Sequence, residues 1–220
     1  MSKGRIWRVF FYCLGLLILA FGISLNTKTN LGVSPLISVS YSVAHICNAN
    51  FGNMTFLWYA VFVLVQIVCH ICTKRYREII IDILQIPLSV VFTRFLNVFA
   101  VIIPDMTGGM VFRLLALILA IVCTGVGIGL TINAHLILNP GDGIVQALAD
   151  CSGKKVSTVK NLLDATCVMI TIVISLLFTG GIVGIGIGTI LAVIGVGRVV
   201  AVYNHFFKEG QLKLSGLERK

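Results

Sequence analysis

Six runs of predominantly apolar residues, each about 20 residues long, divide the chain at 7–27, 54–72, 79–103, 112–132, 158–178 and 182–205. Each is long enough to cross a hydrocarbon layer of roughly 30 Å as an α-helix. Strands of about ten alternating residues are absent from the pattern, so a β-barrel is not expected. The first run, from Trp7 to Leu25, exceeds a signal-peptide core and has no A-x-A site after it, so it is expected to stay as the first membrane helix. Two further apolar stretches are too short to span and too oily for ordinary loops. They are PLISVSYSVAHIC at 35–47 and PGDGIVQALADC at 140–151. Segments of that length are read as re-entrant or interfacial helices.

The chain also repeats itself. RVFFYCLGLLILAFGISL from Arg8 matches RLLALILAIVCTGVGIGL from Arg113, pairing Gly22 with Gly127, Ile23 with Ile128 and Leu25 with Leu130. At the same offset Leu31 meets Leu136 and Pro35 meets Pro140; one residue out of register, Arg94 meets Arg198. The pattern therefore divides the chain into a first repeat, 1–104, and a second, 105–220, within one membrane domain. Three spans per half is an odd number, so the halves must insert in opposite orientations. The expected fold is an all-α membrane protein with six transmembrane helices in two inverted three-helix repeats, each carrying a short re-entrant or broken helix. Inverted repeats with broken helices at the midplane are characteristic of secondary transporters.

Charge supports this topology. The chain is 58% hydrophobic and 11% charged, against about 25% charged in soluble domains, with a net charge of +9. Lys3, Arg5 and Arg8, then Lys74, Arg75 and Arg77, then Lys154, Lys155 and Lys160, and finally Lys208, Lys213, Arg219 and Lys220 all fall on one side if six spans start from an inside N-terminus. Positive loops mark the cytoplasmic face, so both termini are expected there. No basic face with interleaved aromatics exists, so nucleic acid is not an expected partner. The seven cysteines are scattered and form no disulfide framework. The CHIC stretch at Cys69–Cys72 lacks a second pair and is read as small apolar filler. HExxH, GxSxG and Walker A motifs are missing, and His45, His70, His135 and His205 have no ligand spacing. No enzyme activity, metal or cofactor is expected.

The two short segments start alike. Ser34 is a candidate N-cap with Pro35 at the first helical position, and Asn139 and Pro140 have the same roles in LNPGDG. Helix N-termini expose amides and about half a positive charge, which favours an anion or carboxylate. Ser34, Pro35, Asn139, Pro140, Gly141, Asp142 and Gly143 are therefore candidate substrate-binding residues. Plain re-entrant packing, with caps satisfying backbone that lipid cannot, is the other open reading. Asp142 stands where the first repeat has Ile37; it either complements the helix dipole or couples a proton or cation. Lys160 and Asp164, four apart, are expected to form an ion pair. Asp82 is expected to face headgroups. Arg94 and Arg198 either snorkel or join the site as charge partners for an anion, Asp142 or Asp164. Gly180, Gly184 and Gly188 recur every fourth residue in the expected sixth helix, with Gly125 and Gly129 a smaller version; such ridges serve close helix packing, internally or in a homodimer.

TKTNLGVSPLISVSYSV, FGNMTF, LNPGDGIVQAL, VSTVKNLLD and GGIVGIGIGTILAVIGVGRVV together resemble the YczE/YyaS/YitT group of bacterial integral membrane proteins, over nearly the whole chain. In similar sequences the acid of the PG-acid-G turn is often Glu, of which Asp142 is a shorter version. The resemblance implies a bacterial inner-membrane protein of about six helices and leaves activity open. The functional expectation is a small transporter or exporter of an organic or anionic solute, with the lipid bilayer and a small-molecule solute as partners. The alternative is a scaffold or regulatory partner of another envelope protein.

Overall fold

Asn, Ser and Gly next to the two prolines of the short segments stop the apolar pattern where the chain must turn. The computed structural model of the protein describes residues 3–217, so Arg219 and Lys220 lie outside the described residues. Eight helices follow one another: α1 Lys3–Lys28, α2 Pro35–Ile46, α3 Phe51–Cys72, α4 Tyr76–Ile102, α5 Met110–Asn133, α6 Pro140–Ser152, α7 Val156–Thr179 and α8 Ile187–Leu214. No strand occurs among the described residues. The six long helices are apolar enough to cross a membrane, and the chain is a multi-pass membrane protein in contact with the bilayer.

α1 and α5 cross at the centre of the bundle, and two glycines permit the approach. A Cβ on Gly22 would lie 2.6 Å from the Thr124 amide nitrogen, and one on Gly127 would lie 2.6 Å from that of Leu19. The two contacts are related by the same spacing of 105 residues that aligns the halves. The ends of these helices are tied the same way. Arg8 Nε donates to Ala134 O at 2.6 Å, and its terminal nitrogen donates to His135 O. Arg113 Nε donates to Thr29 O at 2.7 Å and its Nη2 to Asn30 O at 2.5 Å. Each arginine thus satisfies carbonyls just past the C-terminus of the other half's first helix, where backbone acceptors have no partner within the helix.

Contacts also define the two ends of the bundle. The start of α1 meets the end of α8 at Gly4 and Ser215, and Arg75 pairs with Asp150 at the end of α6. The basic clusters therefore gather at one end. Lys28 pairs with Asp105 at 3.1 Å at the opposite end.

The sixth long helix departs from expectation. It begins at Ile187 and continues to Leu214. Gly180 and Gly184 have φ of 68° and 82°, a left-handed conformation suited to glycine, and residues 180–186 run without helix. Val33 N donates to Gly184 O at 2.8 Å, and Gly188 N donates to Leu31 O at 2.7 Å. The ridge expected from Gly180, Gly184 and Gly188 is thus not a helix face; these glycines let an irregular strand-like stretch lie against the loop before α2. Hydropathy could not reveal this, because GGIVGIGIG is equally apolar coiled or extended. Gly125 and Gly129 do pack α5 against α8, under Val199 and the Tyr203 ring. One asymmetry stands out between the halves: α3 packs along α4, whereas α7 and α8 barely touch.

Candidate functional site

The N-termini of α2 and α6 both lie deep in the bundle, with Pro35 and Pro140 buried. They meet at a partly open cavity of about 50 Å³ lined by α1, α2, α3, α5, α6, α7 and α8. Its wall is built from positions 105 residues apart: Leu19 and Thr124, Ser34 and Asn139, Ile37 and Asp142, Tyr59 and Asp164. Each pair occupies two sides of one space, and the charge is one-sided. The second half supplies the amide, the carboxylates and the Thr124 hydroxyl, while the first supplies Leu19 and Ile37 with the hydroxyls of Ser34 and Tyr59.

Lys160 Nζ reaches Asp164 Oδ2 at 3.2 Å, the i,i+4 pair read from the sequence. Asp164 is only 3% exposed, and its Oδ1 has no hydrogen-bond partner. Asn139, also 3% exposed, leaves Nδ2 without a partner. Its other cap functions are used. Gly141 N donates to Asn139 Oδ1 at 3.2 Å, and the amides of Asp142 and Gly143 donate to Asn139 O at 2.9 and 2.8 Å. Ser34 makes no such side-chain bond at the start of α2. The first amides of α6 are therefore occupied rather than offered to a ligand. With both carboxylates ionised, two against one lysine sum to −1 at the cavity. This arrangement disfavours an anion and favours positive charge or hydrogen-bond donors.

Arg94 and Arg198 are not brought to this site. Arg94 is exposed and donates to Asn53 Oδ1 at 2.9 Å near the start of α3. Its helix, α4, contributes nothing to the cavity wall. Arg198 is exposed on α8, two residues past Val196, which puts it about 200° around the helix from the lining face. Of the remaining candidates, Ser34, Pro35, Asn139, Gly141 and Asp142 line the cavity, with Pro140 between them and Gly143 on the opposite face of α6. His135 is an exposed turn residue.

Gly143 belongs to a second polar cluster. His70 Nδ1 and Asp82 Oδ2 are 2.6 Å apart, and both residues are buried. Asp82 thus faces the bundle interior and not the headgroups, because His70 on α3 supplies its partner. Gln66 and Gln85 bond reciprocally at 3.2 and 2.9 Å. A Cβ on Gly143 would come within 2.5 Å of Gln66 Oε1, so α6 rests directly on this amide pair. A cavity of about 240 Å³ opens beside the cluster, toward the Arg75–Asp150 pair. The sequence carried a signal for it: Gln66 and His70 are four apart, and Asp82, Gln85 and Ser89 follow a helical period within apolar runs. The matching interface between α2 and α7 holds only hydroxyls, Ser38 with Thr171 at 2.7 Å and Ser42 with Ser175 at 2.8 Å. No group of three or more His, Cys, Asp or Glu placed to hold a metal ion occurs among the described residues.

The model of the family of unknown function DUF6198 matches residues 6–205. The chain belongs to DUF6198. The chain is also similar to the uncharacterized membrane protein YczE of Bacillus subtilis (strain 168), at 29% identity over 202 residues, covering 91% of this chain and 86% of that protein. No solved structure matches the chain. The DUF6198 match spans both short helices, the central cavity and the His70–Asp82 cluster, and it stops within α8.

Proposed function

We propose that this DUF6198 chain is a small transporter or exporter that moves an organic solute by exposing its centre alternately to the two ends of the bundle. The observation that carries the reading is the cavity where the N-termini of two short helices meet, with Asn139, Asp142, Lys160 and Asp164 set in an otherwise largely apolar wall. Irregular backbone at membrane depth is tolerated only where it is buried or lines a cavity, and here it does the latter. The paired bonds of Arg8 and Arg113, and the paired approaches of Gly22 and Gly127, support two halves related by inversion. Such a relation gives two conformations of similar energy, each with one end open. The gathering of basic clusters at one end supports a cytoplasmic N-terminus and a bacterial inner-membrane location. The occupied α6 amides and the two carboxylates favour a neutral or cationic solute over an anionic one.

A second reading rests on the cavity's size. At about 50 Å³ it holds a few water-sized bodies, whereas sites for organic ligands run from about 300 Å³. A membrane scaffold or regulatory partner would keep such a pocket closed permanently. Purified protein in lipid vesicles separates the two. Uptake of a panel of labelled small cationic, zwitterionic and neutral solutes is expected for at least one member, and Asp142→Asn is expected to reduce it at least about tenfold, the loss of one charge-assisted contact. Absence of flux across the panel, or flux unchanged in Asp142→Asn, sinks the transport reading.

A further inference from the structure

We propose that the central cavity binds one small monovalent metal cation, held by Asp142 and Asp164. A role for that ion in coupling rests on the transport reading above; the binding itself does not.

Size comes first. About 50 Å³ admits a bare alkali cation with a water in the conformation described, whereas an organic solute requires the cavity to widen. Donor chemistry comes second. Asp142, Asp164, Ser34, Tyr59 and Thr124 bring carboxylate and hydroxyl oxygens to the wall, and hard cations take oxygen ligands. Lys160 occupies Asp164 Oδ2 and leaves Oδ1 buried without a partner. A buried carboxylate oxygen left unsatisfied is costly, so a ligand that supplies positive charge there is favoured. Asn139 Nδ2, the other unpartnered atom, is suited to hold a water in the ion's shell.

Charge decides the valence. Two carboxylates and one ammonium sum to −1, which a monovalent ion neutralises and a divalent ion overshoots. The helix N-termini do not reverse this. The amides of residues 141–143 are spent on Asn139, and Asp142 in the first turn already complements the α6 dipole. Apolar side chains around the site make any uncompensated charge expensive, so the −1 is neutralised either by a bound cation or by a proton on one carboxylate, and the salt dependence below separates the two.

Thermal unfolding of the full-length chain in detergent tests the site, with lithium, sodium, potassium and choline chlorides at equal ionic strength. The midpoint is expected to rise by about 4 °C or more in lithium or sodium over choline, saturating with concentration as a single site. The smaller ions should act at lower concentration than potassium. Asp142→Asn is expected to remove the difference between sodium and choline. Should that variant fail to fold, the saturation and the size order in the wild-type chain carry the test alone. Equal midpoints in all four salts, the outcome if only water fills the cavity, overturn the proposal; so does a non-saturating rise shared by choline. A cation-specific rise without flux of any solute leaves this site standing and removes the transport reading, whereas flux without such a rise does the reverse.

Discussion

Gly22 and Gly127 each lie where one central helix meets the backbone of the other, and neither neighbouring backbone nitrogen can swing aside. Gly22→Ala and Gly127→Ala should each lower stability by about 1–3 kcal/mol, the cost of an overpacked core, measured by thermal unfolding in detergent. Gly197→Ala on α8 should be neutral or mildly stabilising, since a Cβ there meets open space and alanine favours helix. His70 and Asp82 give a second test at this scale. Asp82→Ala strands a buried imidazole, so it should cost about 1–3 kcal/mol. The double change with His70→Ala should cost less than the sum of the two single changes. Single residues were unevenly legible. Asp142, Asp164 and Lys160 could be picked out because charge is rare in an oily chain. Arg94 and Arg198 shared that rarity, but their side of the helix depends on packing, which a one-residue offset between repeats does not report. His70 was passed over because its partner lies on the next helix.

At the scale of elements, the ends of α1 and α5 are held by arginines from the opposite half. Arg113→Met should therefore loosen the last turn of α1, and Arg8→Met the last turn of α5, each read as faster amide hydrogen exchange in the helix that does not carry the substitution. Protection lost only around the substituted residue would contradict this cross-bracing. The helices themselves were largely written in the pattern. Apolar length located five of the six spans to within a few residues, and Ser-Pro and Asn-Pro marked the starts of α2 and α6. The start of α8 was hidden because glycine-rich apolar sequence has the same hydropathy in any conformation. Its backbone is set by two hydrogen bonds to a loop some 150 positions earlier, which no local window can see.

For the whole molecule, the meaning of the duplication turns on orientation. With the native cysteines replaced, Asn50→Cys should react with a membrane-impermeant reagent from outside the cell and Lys155→Cys only from inside. Reaction of both from the same side would break the inverted arrangement. Wall positions 105 residues apart differ in character: Leu19, Ile37 and Tyr59 line the central cavity from one half of the chain, Thr124, Asp142 and Asp164 from the other. The same division recurs where the short helices lean on their neighbours, hydroxyls under α2 and a His–Asp pair with two glutamines beside α6.

The stretch at 184–188 has a mechanical consequence. Val33 N donates to Gly184 O and Gly188 N donates to Leu31 O, so the loop before α2 is fastened at two points to the start of α8. Breaking them would give up two backbone hydrogen bonds, about 1 kcal/mol each. A tilt of α8 therefore either breaks these bonds or carries with it the loop that starts α2.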